Sequence, residues 1–151
     1  MEKQFEILKA NRLIILKVIE NYSLEQLNKI PHGFKNNLAW NIAHLVVTHQ
    51  LLCYKLSDLP LQIPNEMVEK YQKGTIPKSD VTKHEFDTIK TLFLSQVDKF
   101  EEDYNNNVFK TYSSYLTSPK VALNNIDDAI HFNNFHEGIH LGYILALKNS
   151  F

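Results

Sequence analysis

A chain of 151 residues with 44% hydrophobic content is long enough for one domain with its own core, because folding at this size buries roughly 70% of the unfolded surface. Its formal net charge of −1, from 16 basic and 17 acidic residues, speaks against nucleic acid or an anionic membrane surface as partner, since both demand a basic excess. A lone cysteine, Cys53, excludes an intramolecular disulfide and fits the cytoplasm, and neither a signal-peptide pattern nor an apolar run of roughly 18 residues is present.

Four glycines and five prolines suit long helices better than a turn-rich sandwich or barrel. The first helix is expected over about Glu2 to Asn21, where Phe5, Leu8, Ile14, Leu16, Val18 and Ile19 recur near helical spacing. Ser23 with Gln26 is a capping-box pattern for a short second helix that ends at Pro31-His32-Gly33. The next long segment, about Asn37 to Ser57, is apolar enough to sit deep in a bundle. Asp58 to Pro77 is a crossover broken by Pro60, Pro64, Gly74 and Pro77, with a short helix near Glu66 to Tyr71.

A third long helix starts at the capping box Thr82-Lys83-His84-Glu85 and runs to about Asp103. Asn105-Asn106-Asn107 is a turn, and Val108 to Leu116 reads as strand, short helix or extended link. The last helix opens at Asn125, with Asp127 and Asp128 at its positive end, and runs to about Lys148. The whole is expected to be all-α: a single four-helix-bundle domain over residues 1–151, with a long connection between its second and third long helices and a topology other than up-down-up-down.

The chemistry concentrates near the C-terminus. His136-Glu137-Gly138-Ile139-His140 reads H-E-x-x-H, and residues i and i+4 share a helix face, so two imidazoles can grip one cation. In zinc proteases the Glu of this motif is a general base. Eleven residues follow His140, none of them His, Asp, Glu or Cys, so a third ligand has to come from upstream. His131 is turned off the ligand face, His84 lies in a polar first turn and His32 in a loop. His44 lies mid-helix in the most apolar segment, where an unpaired imidazole would cost roughly 1–3 kcal/mol; it is a core histidine bonded to a neighbour or the missing ligand. Beside His136 and His140 the ligand reading is preferred.

His49 and Cys53 point about 140° and 180° away from His44. His49 reads as a surface or helix-interface residue, and Cys53 as a small core or semi-buried one. Glu137, about 100° around from His136, either orients a water or a ligand imidazole from behind or pairs with a lysine. Gly138 and Gly142, four apart in a helix, let another helix approach closely. Tyr143 either reaches the pocket or sits at an interface.

Trp40-Asn41-Ile42-Ala43-His44-Leu45, followed late in the chain by Phe135-His136-Glu137-Gly138-Ile139-His140-Leu141-Gly142, resembles the DinB-like superfamily of small damage-inducible or thiol-transferase-type bundles. The resemblance covers essentially the whole chain. It implies an up-down-down-up bundle, often dimeric, in which His44, His136 and His140 bind one divalent metal, commonly zinc or nickel. Some members of such a family conjugate low-molecular-weight thiols, such as bacillithiol or mycothiol, to electrophiles. The chain departs from the family pattern at Tyr143, usually Gln, and at Leu141, often Arg.

Three functions follow as expectations. The first is a metal-dependent transferase joining a small thiol to an electrophile, with an open metal position for the thiol. The second is a non-enzymatic, stress-associated metal-binding bundle. The third, a zinc protease, is disfavoured by the missing downstream ligand. A homodimer is expected with any apolar helix face left exposed.

Overall fold

Three of the four long helices begin where a side chain replaces a missing backbone partner. In the computed structural model, which describes residues 1–150, Asn37 accepts from the Trp40 N–H at 2.8 Å, Thr82 from Glu85 at 3.2 Å and Asn125 from Asp128 at 2.8 Å. Each cap satisfies one of the orphaned donors of a first turn. The helices in chain order are α1 (Glu2–Ile19), α2 (Leu24–Asn28), α3 (Leu38–His49), α4 (Asn65–Tyr71), α5 (Lys83–Asn105) and α6 (Ile126–Lys148). The expected capping box of α2 is present in both directions between Ser23 and Gln26.

The pairing of side chains fixes the topology. Along α1 and α6 the numbers rise together: Gln4 meets Asn134, Arg12 meets Glu137, and Tyr22 reaches the Lys148 carbonyl. Along α1 and α5 they run oppositely, from Phe5 on Phe100 to Arg12 on the Phe93 carbonyl. Helix α3 runs with α5, pairing His49 with Gln96 and Tyr54 with Asp103, and against α6, pairing Asn41 with His140. The bundle is therefore up-down-down-up, as the family resemblance implies. No helix among the described residues is long and apolar enough to cross a membrane.

Two features were not foreseen. The second long segment is not one regular helix: α3 passes at Gln50–Tyr54 into a π-helical turn and ends in a 3-10 turn at Lys55–Ser57. A π turn widens the helix and redirects side chains, and such turns concentrate at functional sites. The other is a small antiparallel hairpin, β1 (Tyr115–Leu116) with β2 (Ala122–Leu123). Of Val108 to Leu116, left open between strand, helix and link, the last two residues are β1 and the rest is a link without regular structure. It lies along the end of the second long segment, donating from the Ser113 N–H to the Leu56 carbonyl and from the Tyr112 hydroxyl to the Leu52 carbonyl.

The core is divided by a polar layer. One apolar cluster holds Ile15, Val46, Phe93 and Ile144; the other holds Leu8, Leu52, Phe100 and Ile130. Between them in sequence every long segment contributes a buried polar residue: Arg12, His49, Gln96, and Asn133 with Glu137. Arg12 and Glu137, both fully buried, form a two-pronged ion pair with contacts of 2.7–3.2 Å. Asn133 and Asn11 donate to the same carboxylate at 3.2 and 3.4 Å.

Candidate metal centre

The site is built where α3 crosses α6. Trp40 and His44 are one turn apart on α3, and their rings stack at 4.6 Å and 10°. His136 and His140 are one turn apart on α6, with ring centroids 4.6 Å from each other and 5.3 and 4.9 Å from His44. One ligand atom from each of the three lies within 4.8 Å of the others. The three histidines singled out in the sequence are thus brought together, and the trio can hold a metal ion.

Two of the rings are held from behind. His44 Nδ1 lies 2.7 Å from the Tyr71 carbonyl, which can only accept, so Nδ1 carries the proton and Nε2 keeps its lone pair. His140 Nδ1 lies 2.8 Å from Asn41 Oδ1. The Asn41 amide nitrogen donates to Asn36 Oδ1 and to the Asn37 carbonyl, so its oxygen is an acceptor and His140 Nδ1 donates. Fixing the tautomer in this way is how proteins aim imidazoles at metals. His136 Nδ1 is buried with no hydrogen-bond partner. His49 Nε2, outside the trio, is unpartnered in the same way, so what fits a cation here is the convergence of three imidazoles.

Burial keeps the trio uncharged. It lowers the pKa of His44 despite the opposing bond to Tyr71. It takes His136 down to about 4, with the neighbouring His44 adding to the effect. His140 falls to about 3 through burial and then through His136 and His44. Neutral imidazole is the ligating form, so at neutral pH no proton competes for these nitrogens.

The other candidates lie elsewhere. His32, His84 and His131 are exposed and outside the trio. His49, expected at a surface or helix interface, is fully buried in the polar layer, 3.4 Å from Gln96 Oε1 and edge-on to Phe100. Cys53 is buried, and burial pushes its thiol well above the ordinary range, so it stays protonated. Glu137 accepts its hydrogen bonds from Arg12, Asn11 and Asn133 rather than from an imidazole. Tyr143 packs edge-on against Phe34 at 5.3 Å. Among the described residues, no atom of another element lies within 4 Å of where a Cβ would stand on Gly138 or Gly142, so the close helix approach expected there is not made by them.

The trio forms the floor of a half-open cavity of about 590 Å³. Its wall is apolar, with Trp40, Leu51, Leu52, Phe132, Phe135 and Ile139. Leu51 and Leu52 are delivered by the π turn. The hairpin supplies a further side through Tyr115, Thr117 and Ser118.

Sequence reasoning missed Asn41, Arg12 and the hairpin. The first two carried a usable signal. Asn41 is a polar residue within the apolar Leu38–Val47 run, the same reason His44 stood out. Arg12 falls four residues after Leu8 and three before Ile15, on the buried stripe of α1. The hairpin rests on two-residue strands, too short for any periodicity to show.

Fold and site together define an all-α bundle with a histidine trio between two of its helices. The DinB superfamily model matches residues 7–144, and the chain belongs to that superfamily. No curated protein matches the chain.

Proposed function

We propose that His44, His136 and His140 hold one divalent cation, zinc or nickel, and that the protein is a metal-dependent transferase joining a low-molecular-weight thiol to an electrophile. The observation that carries this reading is the donor set itself: three neutral imidazoles, two held from behind in the ligating tautomer, facing a cavity that no carboxylate lines. Three protein ligands and an open side are the pattern of a catalytic rather than a structural site. When bound, the cation would supply the charge that keeps a thiol deprotonated near neutral pH.

The chain's own residues have separable tasks. Asn41 and the Tyr71 carbonyl hold the imidazoles in place. Trp40 and the leucines of the π turn exclude water from the side where substrate enters. Thr48, whose hydroxyl lies 3.2 Å from His44 Nε2, can donate to that nitrogen while no cation is there. A protease would need Glu137 as a base at the site, and that carboxylate is committed to Arg12 inside the bundle. The homodimer belongs to the same reading: α6 leaves Phe135, Ile139 and Leu145 exposed at 56%, 54% and 38%, beside Gly138 and Gly142.

Metal analysis of tag-free protein tests the centre. Wild type is expected to carry about one equivalent of zinc or nickel and His44→Ala far less; equal metal in both removes His44 from the site and the reading with it. The metal-replete protein should also change its cobalt-substituted spectrum when a small thiol is added. If it takes up the metal, ignores thiols and turns over no electrophile, the non-catalytic metal-binding alternative replaces the transferase.

A further inference from the structure

The cavity above the histidines carries charge of only one sign. Lys55, at the end of the π turn, and Lys73, between α4 and α5, both line it, and no aspartate or glutamate does. This is not a reflection of a basic protein, because acidic residues slightly outnumber basic ones in the chain, 17 to 16. Among the described residues, neither lysine has a carboxylate partner: the ion pairs of the molecule use other lysines. Lys73 donates to the neutral hydroxyl of Ser118 on the hairpin, also a lining residue. Lys55 is exposed, and among the described residues its ammonium has no hydrogen-bond or ion-pair partner.

The remaining lining is apolar and aromatic, and a cavity of about 590 Å³ lies within the range that encloses a drug-sized molecule, roughly 300–1,000 Å³. An apolar wall with two uncompensated ammonium groups selects for a ligand with two matching parts. The apolar part gains by leaving water against Trp40, Phe132 and Ile139. The anionic part gains charge-assisted hydrogen bonds from the two ammonium groups, both on exposed side chains.

We propose that this cavity binds an apolar carboxylic acid, its aromatic or branched body on the Trp40–Phe132–Ile139 wall and its carboxylate at Lys55 and Lys73. The proposal rests on the metal reading only for the role of the floor. It names the class of the electrophilic co-substrate: an apolar acid whose reacting atom faces the histidines while its carboxylate is held away from them.

The test uses the full chain and a matched pair of probes, 4-phenylbutyrate and its neutral isostere 4-phenylbutanamide. Trp40 is the only tryptophan and lines the cavity, so its fluorescence reports binding, with calorimetry as a second readout. Both probes are titrated into chelator-treated and zinc-supplemented protein at low ionic strength, for wild type and Lys55→Gln/Lys73→Gln.

In wild type the acid is expected to bind about tenfold more tightly than the amide, the difference between a charged and a neutral hydrogen bond. In the double variant the acid is expected to fall to the level of the amide, whose own affinity stays within about twofold. The preference should be the same with and without zinc. Equal binding of acid and amide by wild type overturns the proposal. So does a preference that survives loss of both lysines, one that appears only with zinc present, or the absence of saturable binding by either probe. Metal content, measured on the same samples, reports on the centre separately: an intact acid preference in protein that takes up no zinc sinks the metal reading and leaves this one standing.

Discussion

His136 and Glu137 are neighbours in sequence and belong to two different regions of the molecule. The histidine faces α3 and a cavity open to solvent; the glutamate faces α1 in a layer sealed between two apolar clusters. Both regions are polar and buried, yet their polarity is completed differently. In the layer, charge meets charge inside the chain, with Arg12 forking onto the carboxylate and giving its remaining prong to the Phe93 carbonyl at 2.7 Å. In the trio, neutral rings meet neutral acceptors, the outer nitrogens of two being satisfied from behind; His136 Nδ1 has no partner, as His49 Nε2, Gln96 Nε2 and Asn133 Oδ1 have none in the layer. A step of about 100° around one helix separates a group sealed inside the fold from one that faces the cavity.

The comparison breaks most visibly at the ion pair. Glu137→Leu leaves a buried guanidinium unpaired and is expected to destabilise the fold by about 3–5 kcal/mol. Arg12→Met/Glu137→Leu, which removes both charges, should recover most of that loss. Urea denaturation of wild type and the two variants measures this, with metal content of the folded single variant as the control. A loss below about 1 kcal/mol for the single variant would place the pair in water and erase the distinction. Retained metal in that variant would sharpen it, since Glu137 then contributes to fold and not to the site.

Acid should act on both regions of the metal-free protein. In the layer, burial, aided by the Arg12 charge, takes His49 down to about 3 against the opposing bond from Gln96; in the trio, His136 and His140 fall to about 4 and 3. A depressed histidine pKa means that between about pH 6.5 and the folded value the unfolded chain binds more protons. The contribution of these groups is therefore whole above pH 6.5 and is lost progressively as pH falls toward 4 and 3. The melting temperature should drop over that window, and His49→Gln should flatten the drop. A melting temperature constant from pH 7 to 4 would show that these imidazoles are not dry.

How far the sequence reached differs between the same two regions. The trio was legible because each histidine broke an expectation: His44 interrupts an apolar run, and His136 with His140 repeat at helical spacing near the end of the chain. The four long helices were legible from period, and two of them also from the caps Thr82 and Asn125; Asn37 caps α3 without having been singled out as a cap. The layer was not legible, although Arg12 stood on the apolar stripe of α1, because one charged residue on a stripe has no partner in one dimension; Glu137 lies 125 residues away. The π turn was hidden for a different reason. Its residues Gln50-Leu51-Leu52-Cys53-Tyr54 suit an α-helix equally well, and what widens the turn is set by packing rather than propensity.

A smaller effect tests how the trio is held. Asn41→Leu keeps the apolar character of α3 and removes the acceptor behind His140. Loss of such a partner costs about 10–100-fold in metal affinity, so the zinc dissociation constant should rise by that factor while the variant remains folded. Competition against a chromogenic chelator reads it directly. An unchanged constant would mean that His140 finds its orientation without Asn41, and that the trio is no better prepared than two chance neighbours on one helix.

The smallest expected effect lies on the outer face of the same helix. Gly138 and Gly142 are exposed, adopt ordinary helical backbone, and have open space where a Cβ would stand. Glycine in a helix interior costs roughly 0.5–1 kcal/mol relative to alanine because the unfolded chain loses more freedom on ordering. Gly138→Ala and Gly142→Ala should each raise stability by about 0.4–1 kcal/mol, with no change in metal content, since neither position lies on the face of the trio. A thermal melt at low protein concentration measures the gain. Repeating it at high concentration adds the second subunit to the comparison. If the gain is present in dilute protein and reversed in concentrated protein, the space above the two glycines is filled by another copy, and α6 then has a third face with a third task.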